Sequence, residues 1–337
     1  MLCQAFCAAL AADAANVRLV LNPYESVNWE KTTQHKANLH THTVASGGKL
    51  FLHQVFEEYA KRGYTILAIT DHDSCTRWEK SGINPIKDYG LLPVMGQEYS
   101  QGDHVNGLFS DYEAHTANMD FLLRGITRHG GFAIVNHPGN YWDLDGNGRV
   151  PQETRERYLK MLDTNPLVLG IEVVNANHRH PEDVSLWDAL LGASMPVRPI
   201  WGFANDDMHK SKEIGHAWNI FPLDSLDEAA LRQAMLKGQY YFSVRADAHE
   251  HGGEREPPLI QKIVHDPAAQ TLAVFAAAEG VVLDAEHYQW IADGQVIFKG
   301  PILKYNGIGG IGRYVRAEIA GKGGTTYTNP FGFSHGE

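Results

Sequence analysis

The sequence predicts an α/β barrel followed by a small all-β, sandwich-like domain, and three observations carry that expectation. Short apolar runs recur between residues 37 and 210, and each leads to a residue able to bind a metal. Stretches with helical spacing lie between them, which favours parallel pairing of the runs. Near residues 250 to 258 the chain turns polar and rich in Gly and Pro, and no helical period is evident beyond.

In chain order, Val17 to Leu21 reads as a strand that Asn22-Pro23 breaks. Ala37 to His42 opens the series, with His40 and His42 on one face because alternation sends residues i and i+2 the same way. Leu52 to Arg62 carries Val55, Phe56 and Tyr59 at helical spacing, and Gly63 supplies a stop. Tyr64 to Thr70 is a continuous apolar strand that runs into Asp71-His72. Leu91 to Met95 leads to Glu98, and Phe132 to Val135 leads to Asn136-His137. Val168 to Val174 carries Glu172 and ends near Asn175; Arg198 to Phe203 leads to Asp207-Met208-His209. Gln239 to Val244 precedes Arg245. Polar residues at the C-terminal ends of strands are the layout of a βα barrel, whose catalytic residues gather on that rim. Past the linker, Leu272 to Ala277, Tyr288 to Ala292, Gln295 to Lys299 and Tyr314 to Ile319 read as short strands, with Asp293-Gly294 a hairpin turn. The expected organisation is a leader and extension over 1–36, a barrel over 37–250 and a β-domain over 257–332.

With 337 residues the chain can bury a full core, and its net charge of −11 argues against binding a nucleic-acid backbone. No apolar run approaches the ~20 residues of a spanning helix, so no membrane is expected. Cys3, Cys7 and Cys75 are too few and scattered for a disulfide framework. The opening ten residues have an apolar stretch but no basic n-region, which favours a short amphipathic helix over a signal peptide. The expected location is therefore cytoplasmic; a signal remnant in residues 1–15 would instead make it secreted or periplasmic.

His, Asp and Glu without Cys form the ligand set of Zn²⁺, Mn²⁺ or Fe²⁺ in hydrolytic sites. A lone His at a strand end is more often hydrogen-bonded structure, and His35, His53, His129, His178, His180, His249, His251, His265, His287 and His335 stay in that class. The joint pattern differs: HxH, then Asp-His, Glu, His and finally DxH, each near the end of an apolar run. A multinuclear metallohydrolase follows from it.

Asn38-Leu39-His40-Thr41-His42-Thr43, Ile69-Thr70-Asp71-His72-Asp73, Gly96-Gln97-Glu98, Asn136-His137-Pro138 and Asp207-Met208-His209 resemble the successive motifs of the PHP (polymerase and histidinol phosphatase) superfamily. The resemblance spans roughly residues 37 to 210. It is strongest to stand-alone phosphoesterases and to related carbamate and ester hydrolases with a trailing β-domain. It implies a distorted, TIM-like (β/α)₇ barrel with two or three divalent ions (Mn²⁺, Zn²⁺ or Fe²⁺). It further implies that His40, His42, Glu98 and Asp207 hold one ion, and that Glu98 bridges to a second held by His104 and His137. His115 competes with His104, and the spacing after Glu98 favours His104. His72 and His209 match ligands of a third ion. The family usually adds an Asp or His shortly after HxHT, where this chain has Ser46-Gly47-Gly48. The third site is then weak, empty, or completed by water, substrate phosphate or Asp71.

The chemistry expected is attack on phosphorus by a hydroxide shared between two ions ~3.5–4 Å apart. His209 or His72, where not committed to metal, would protonate the leaving alkoxide, with Asp71 beside them in the catalytic set. Arg245 is a candidate phosphate contact, against an ordinary salt bridge. Trp78, Asn140, Tyr141, Trp142 and Asn175 fall on rim loops that would meet a small ester substrate. The same hydroxide serves a carboxylester or carbamate hydrolase, and an accessory, non-catalytic PHP module is a further alternative. Asp143-Leu144-Asp145-Gly146-Asn147-Gly148 opens like a calcium loop, but Thr154 stands where the bidentate Glu belongs, so a turn held by Asx hydrogen bonds is preferred. Oligomeric state is not legible.

Overall fold

The computed structural model describes residues 17–246 and 255–336. Cys3, Cys7, His249, His251, the proposed leader helix and most of the Gly/Pro-rich linker lie outside the described residues. Strands β1 (Val17–Leu21) and β2 (Thr33–Asn38) precede helix α1 (Leu52–Lys61) and β3 (Tyr64–Ile69). Then come α2 (Pro85–Tyr89), β4 (Leu92–Tyr99), β5 (Val105–Leu108), α3 (Met119–Arg128), β6 (Phe132–Val135) and α4 (Gln152–Asp163). The first part ends with β7 (Val168–Asn175), α5 (Glu182–Ser194), β8 (Trp201–Asn205), β9 (Ala217–Leu223), α6 (Glu228–Lys237) and β10 (Tyr241–Arg245).

The central sheet runs β9-β2-β3-β4-β5-β6-β7-β8. Its strands are apolar on both faces, as in the fully buried β6 and the nearly buried β3, because helices cover the outside. Helix α1 shows how: Val55, Phe56 and Tyr59 form its buried stripe. Two further strands, which the sequence pattern does not reveal, break the parallel order. β5 is antiparallel to both β4 and β6, since the connection at 100–104 is too short for a crossover. β9 is antiparallel to β2, because only a short 3₁₀ turn, Ser211–Glu213, lies between it and β8. No backbone ladder joins β8 to β9 among the described residues. Instead the Asn219 carboxamide accepts from the Ala204 N–H at 3.1 Å and donates to the Ala204 carbonyl at 2.8 Å.

The first strand lies four residues earlier than its sequence pattern suggests, so His40 and His42 stand just past its end. The polar start at Thr33 and Gln34 is drawn into the ladder by β9, through Thr33↔Leu223 and Gln34↔Pro222. Leu39 leaves the ladder because its N–H donates to the Asn205 side chain at 2.9 Å.

The C-terminal part holds β11 (Leu259–Asp266), β12 (Thr271–Ala278), β13 (Val281–Val282), β14 (Tyr288–Ala292), β15 (Gln295–Lys299), β16 (Ile302–Lys304), β17 (Tyr314–Gly321), β18 (Gly324–Thr328) and β19 (Phe331–His335). β11, β12, β13 and β16 form one antiparallel sheet, packed through Ile260, Leu272 and Val274 on Trp290, Ala317 and Ile319. The opposing sheet continues into the central one because β18 pairs with β10 and β10 with β9, while β1 pairs with β19 at its far edge. The Asp293-Gly294 hairpin forms as expected, both residues at positive φ (48° and 70°) between the paired Ala292 and Gln295. No helix among the described residues is long and apolar enough to cross a membrane.

Candidate metal centre

The end of β4 and the chain segments that leave β2, β3, β6 and β8 bring Glu98, His40, His42, His72, His137 and Asp207 together, and His104 joins them from the turn before β5. Bridges Thr41↔Met208 and His72↔Glu98 tie these segments laterally. Two members carry strained backbone, His137 at φ 26° and Asp207 at φ 51°. Non-glycine residues held there cost of order 1–3 kcal/mol and cluster at functional sites.

Glu98 is the centre. Its Oε2 lies 3.1 Å from His40 Nε2, 3.2 Å from His42 Nε2 and 3.2 Å from His72 Nδ1. Its Oε1 lies 3.0 Å from both His104 Nδ1 and His137 Nε2. Asp207 Oδ1 lies 3.3 Å from His40 Nε2 and 3.1 Å from His42 Nε2. Yet His40 Nε2, His42 Nε2, His72 Nδ1 and Asp207 Oδ1 are buried with no hydrogen-bond partner. Donor atoms that converge without donating to one another are placed as ligands of a common cation would be. Three such groups form: His40, His42, Glu98 and Asp207; His72, Glu98 and His104; and His42, His72 and His209.

Electrostatics agrees. Burial alone would raise the Glu98 carboxyl, but His40, His104 and His137 override it and hold it well below the usual carboxylate range. Burial would likewise lower His42, yet the adjacent Asp207 and Glu98 carboxylates push it up to about 8. His40 is raised well above its ordinary value by Asp207, Glu98 and Glu172, again against burial. Imidazoles that take up protons beside carboxylates that refuse them mark a place short of positive charge. The residues therefore fit divalent ions.

A supporting layer stands behind these groups. His40 Nδ1 donates to Glu172 Oε1 at 2.9 Å, which leaves Nε2 free to bind. Glu172, fully buried, also accepts from Asn205 Nδ2 at 2.8 Å, Asn175 Nδ2 at 2.9 Å and the His137 N–H at 3.0 Å. Asn136 Nδ2 donates to Glu98 Oε1 at 3.0 Å. Asp206 faces away from its neighbour Asp207 and accepts the backbone N–H groups of Gly215, His216 and Ala217.

The other predicted site residues divide. His209 joins the cluster from the rim, its Nδ1 3.1 Å from the Asp207 carbonyl. Asn175 Nδ2 reaches Asp207 Oδ2 at 3.3 Å, and Tyr141 stands over His104 and His137 with ring centroids 5.9 and 6.1 Å away. Asp71 stands outside the three ligand groups. It accepts from the Thr43 N–H, Thr43 Oγ1, Ser46 Oγ and Thr76 Oγ1 at 2.5–2.8 Å, and so fastens the loop after HxH. Trp142 is turned into the core, its indole N–H donating to Asp183 at 3.3 Å. Arg245 lies against Glu256 and over the Trp218 ring. Gly47, in the turn after HxH, has φ +109° and faces His209. In the acidic loop, Asp145 Oδ1 accepts the N–H groups of Asn147 and Arg149, the Asx turn expected there.

Sequence reasoning missed Glu172, Asn136 and His178. His178 Nε2 stands 3.7 Å from Asp207 Oδ2, and its ring centroid is 5.0 Å from that of His137. Glu172 alone had a signal: a carboxylate inside the apolar run Val168 to Val174 must find partners.

No protein-family model matches the chain, and no curated protein matches it. Among solved structures it is similar to a two-domain protein from Bacteroides vulgatus containing a predicted PHP-like metal-dependent phosphoesterase. Identity is 16%, with 93% of this chain and 99% of that one covered, at a TM-score of 0.49. An amidohydrolase from Chromobacterium violaceum shares 16% identity over 60% of this chain and 96% of its own, at 0.44. The lesion-specific endonuclease EndoQ from Pyrococcus furiosus shares 15% over 60% and 56%, at 0.45.

Proposed function

We propose that the chain is a hydrolase of the PHP superfamily, its central sheet curved into that superfamily's distorted barrel, which cleaves phosphomono- or phosphodiesters of small molecules. The observation that carries this is the meeting of buried His40 Nε2, His42 Nε2, Asp207 Oδ1 and Glu98 Oε2 without a hydrogen bond among the first three. Two or three divalent ions (Mn²⁺, Zn²⁺ or Fe²⁺) bound there would supply Lewis acidity and a water of lowered pKa. Glu98 offers one oxygen to each side and so couples the ligand groups. Glu98 and Asp207, with Glu172 behind, are too few carboxylates to neutralise two divalent ions, which leaves positive charge for an anionic ester. His72 and His209, with side chains 32% and 25% exposed, stand at the open edge where a leaving alkoxide would need a proton.

A carboxylester or carbamate hydrolase is the second reading. What supports it is that the ion-pair partners of Glu98 and Asp207 among the described residues are all histidines, a set that serves a carbonyl as well as a phosphoryl group. Chromogenic phosphomono-, di- and triesters and aryl carboxyl esters, offered to metal-free protein reloaded with each ion, separate the two. Phosphoester turnover with competitive inhibition by phosphate or vanadate is expected. Aryl-ester or carbamate turnover, without phosphoester activity or phosphate inhibition, would establish the second reading instead.

A further inference from the structure

Behind His137 a chain of polar groups leads away from the cluster. The 3₁₀ turn Pro138–Tyr141 carries Asn140 back beneath the ring, with the Asn140 N–H donating to the His137 carbonyl at 3.1 Å. The Asn140 carboxamide then spans two imidazoles: its Nδ2 is 3.1 Å from His137 Nδ1 and its Oδ1 is 2.7 Å from His180 Nε2. The other nitrogen of His180, Nδ1, lies 3.4 Å from Glu182 Oε1. The packing is built for this contact. A Cβ on Gly139 would sit 2.3 Å from His180 Cβ and Cγ, so only glycine lets the ring approach.

Proton bookkeeping selects one orientation of that carboxamide for metal binding. A neutral imidazole that binds a cation through Nε2 keeps its proton on Nδ1, and that N–H needs an acceptor. A carboxamide has an acceptor at one end and a donor at the other, and a half turn about its last bond exchanges them. With the oxygen toward His137, Nδ1–H of His137 donates to Asn140. The Asn140 NH₂ donates to His180 Nε2, and Nδ1–H of His180 donates to Glu182. Every contact then pairs a donor with an acceptor, ending on a carboxylate. With the nitrogen toward His137 the order reverses. Nδ1 of His137 must accept, its proton moves to Nε2 and points at Glu98 Oε1, and a cation is shut out. A neutral His180 then turns a lone pair on Glu182.

We propose, on the premise that His137 is a metal ligand, that Asn140 turns its oxygen to His137 when the ion is held and, backed by His180 and Glu182, is the positioning residue that selects its metal-binding tautomer. Histidine ¹⁵N spectra of the Zn²⁺-loaded full chain, with Zn²⁺ affinity measured in parallel, test this. The proton of His137 is expected on Nδ1 in the wild type and in Asn140→Asp, which can only accept. Asn140→Leu, at an exposed position, should weaken one Zn²⁺ equivalent by about 10- to 100-fold and lose that signature at Zn²⁺ concentrations that leave this equivalent unfilled in the variant but filled in the wild type. Gly139→Ala, which drives His180 aside, should weaken the same equivalent. Zn²⁺-loaded protein with His137 protonated on Nε2 would overturn the assignment, as would Asn140→Leu with unchanged affinity and spectrum. A wild type that takes up no Zn²⁺ would overturn the metal reading with it, and the two failures are told apart by the stoichiometry.

Discussion

Replacing Glu98 by Ala removes the carboxylate that five imidazole nitrogens approach to 3.0–3.2 Å and that accepts from the Asn136 carboxamide. In metal-free protein the imidazoles of His40 and His42, raised partly by Glu98, lose part of their compensation while staying buried. Breaking one side of such a buried cluster costs about 3–5 kcal/mol. In metal-loaded protein two ligand groups lose a member at once. Activity should then fall beyond the ~10²–10⁴-fold typical of losing one general acid or base. Urea denaturation of the metal-free forms reads the first effect; elemental analysis and ester hydrolysis after reconstitution read the second. The variant is expected to be destabilised and to hold at least one ion fewer per chain. Wild-type stoichiometry in Glu98→Ala, with activity within about tenfold, would refute the role given to Glu98.

Other consequences are equally open to measurement. Glu172→Ala frees His40 Nδ1 from its 2.9 Å acceptor and should weaken metal binding by about 10- to 100-fold, as equilibrium titration would show. Asp183 is pushed up to about 7, chiefly by burial, so the fold prefers its neutral form. Wild type should therefore lose stability as the pH rises from about 4 to 7. Asp183→Asn, spared that loss, should match it near pH 4 and exceed it by about 2–4 kcal/mol above pH 7 in denaturation curves. Gly47→Ala, at φ +109°, should cost about 1–2 kcal/mol in the same assay without changing how much metal the protein holds.

Much of the centre was legible because ligands at strand ends need only local sequence to be noticed. His40 and His42 are two apart, Asp207 and His209 likewise, and each pair closes an apolar run. The partners that make them ligands were not legible, because they arrive from far along the chain: Glu172 reaches His40 across 132 residues. A motif also does not say which way a side chain turns. Asp71 sits beside His72 in sequence and Trp142 beside Tyr141, yet one fastens a loop and the other fills the core. The two antiparallel strands β5 and β9 were not legible as strands at all, since Val105–Leu108 is short and half Asn and Gly, and Ala217–Leu223 is interrupted by Asn219 and Pro222. The register of β2 failed for a related reason: its polar first residues pair with β9, which no local pattern announces.

The most direct measurement is metal stoichiometry. Protein stripped with chelator, reconstituted with excess Zn²⁺ or Mn²⁺ and freed of unbound ions should hold at least two per chain by elemental analysis. Fewer than one per chain after reconstitution would contradict the multinuclear centre built around Glu98.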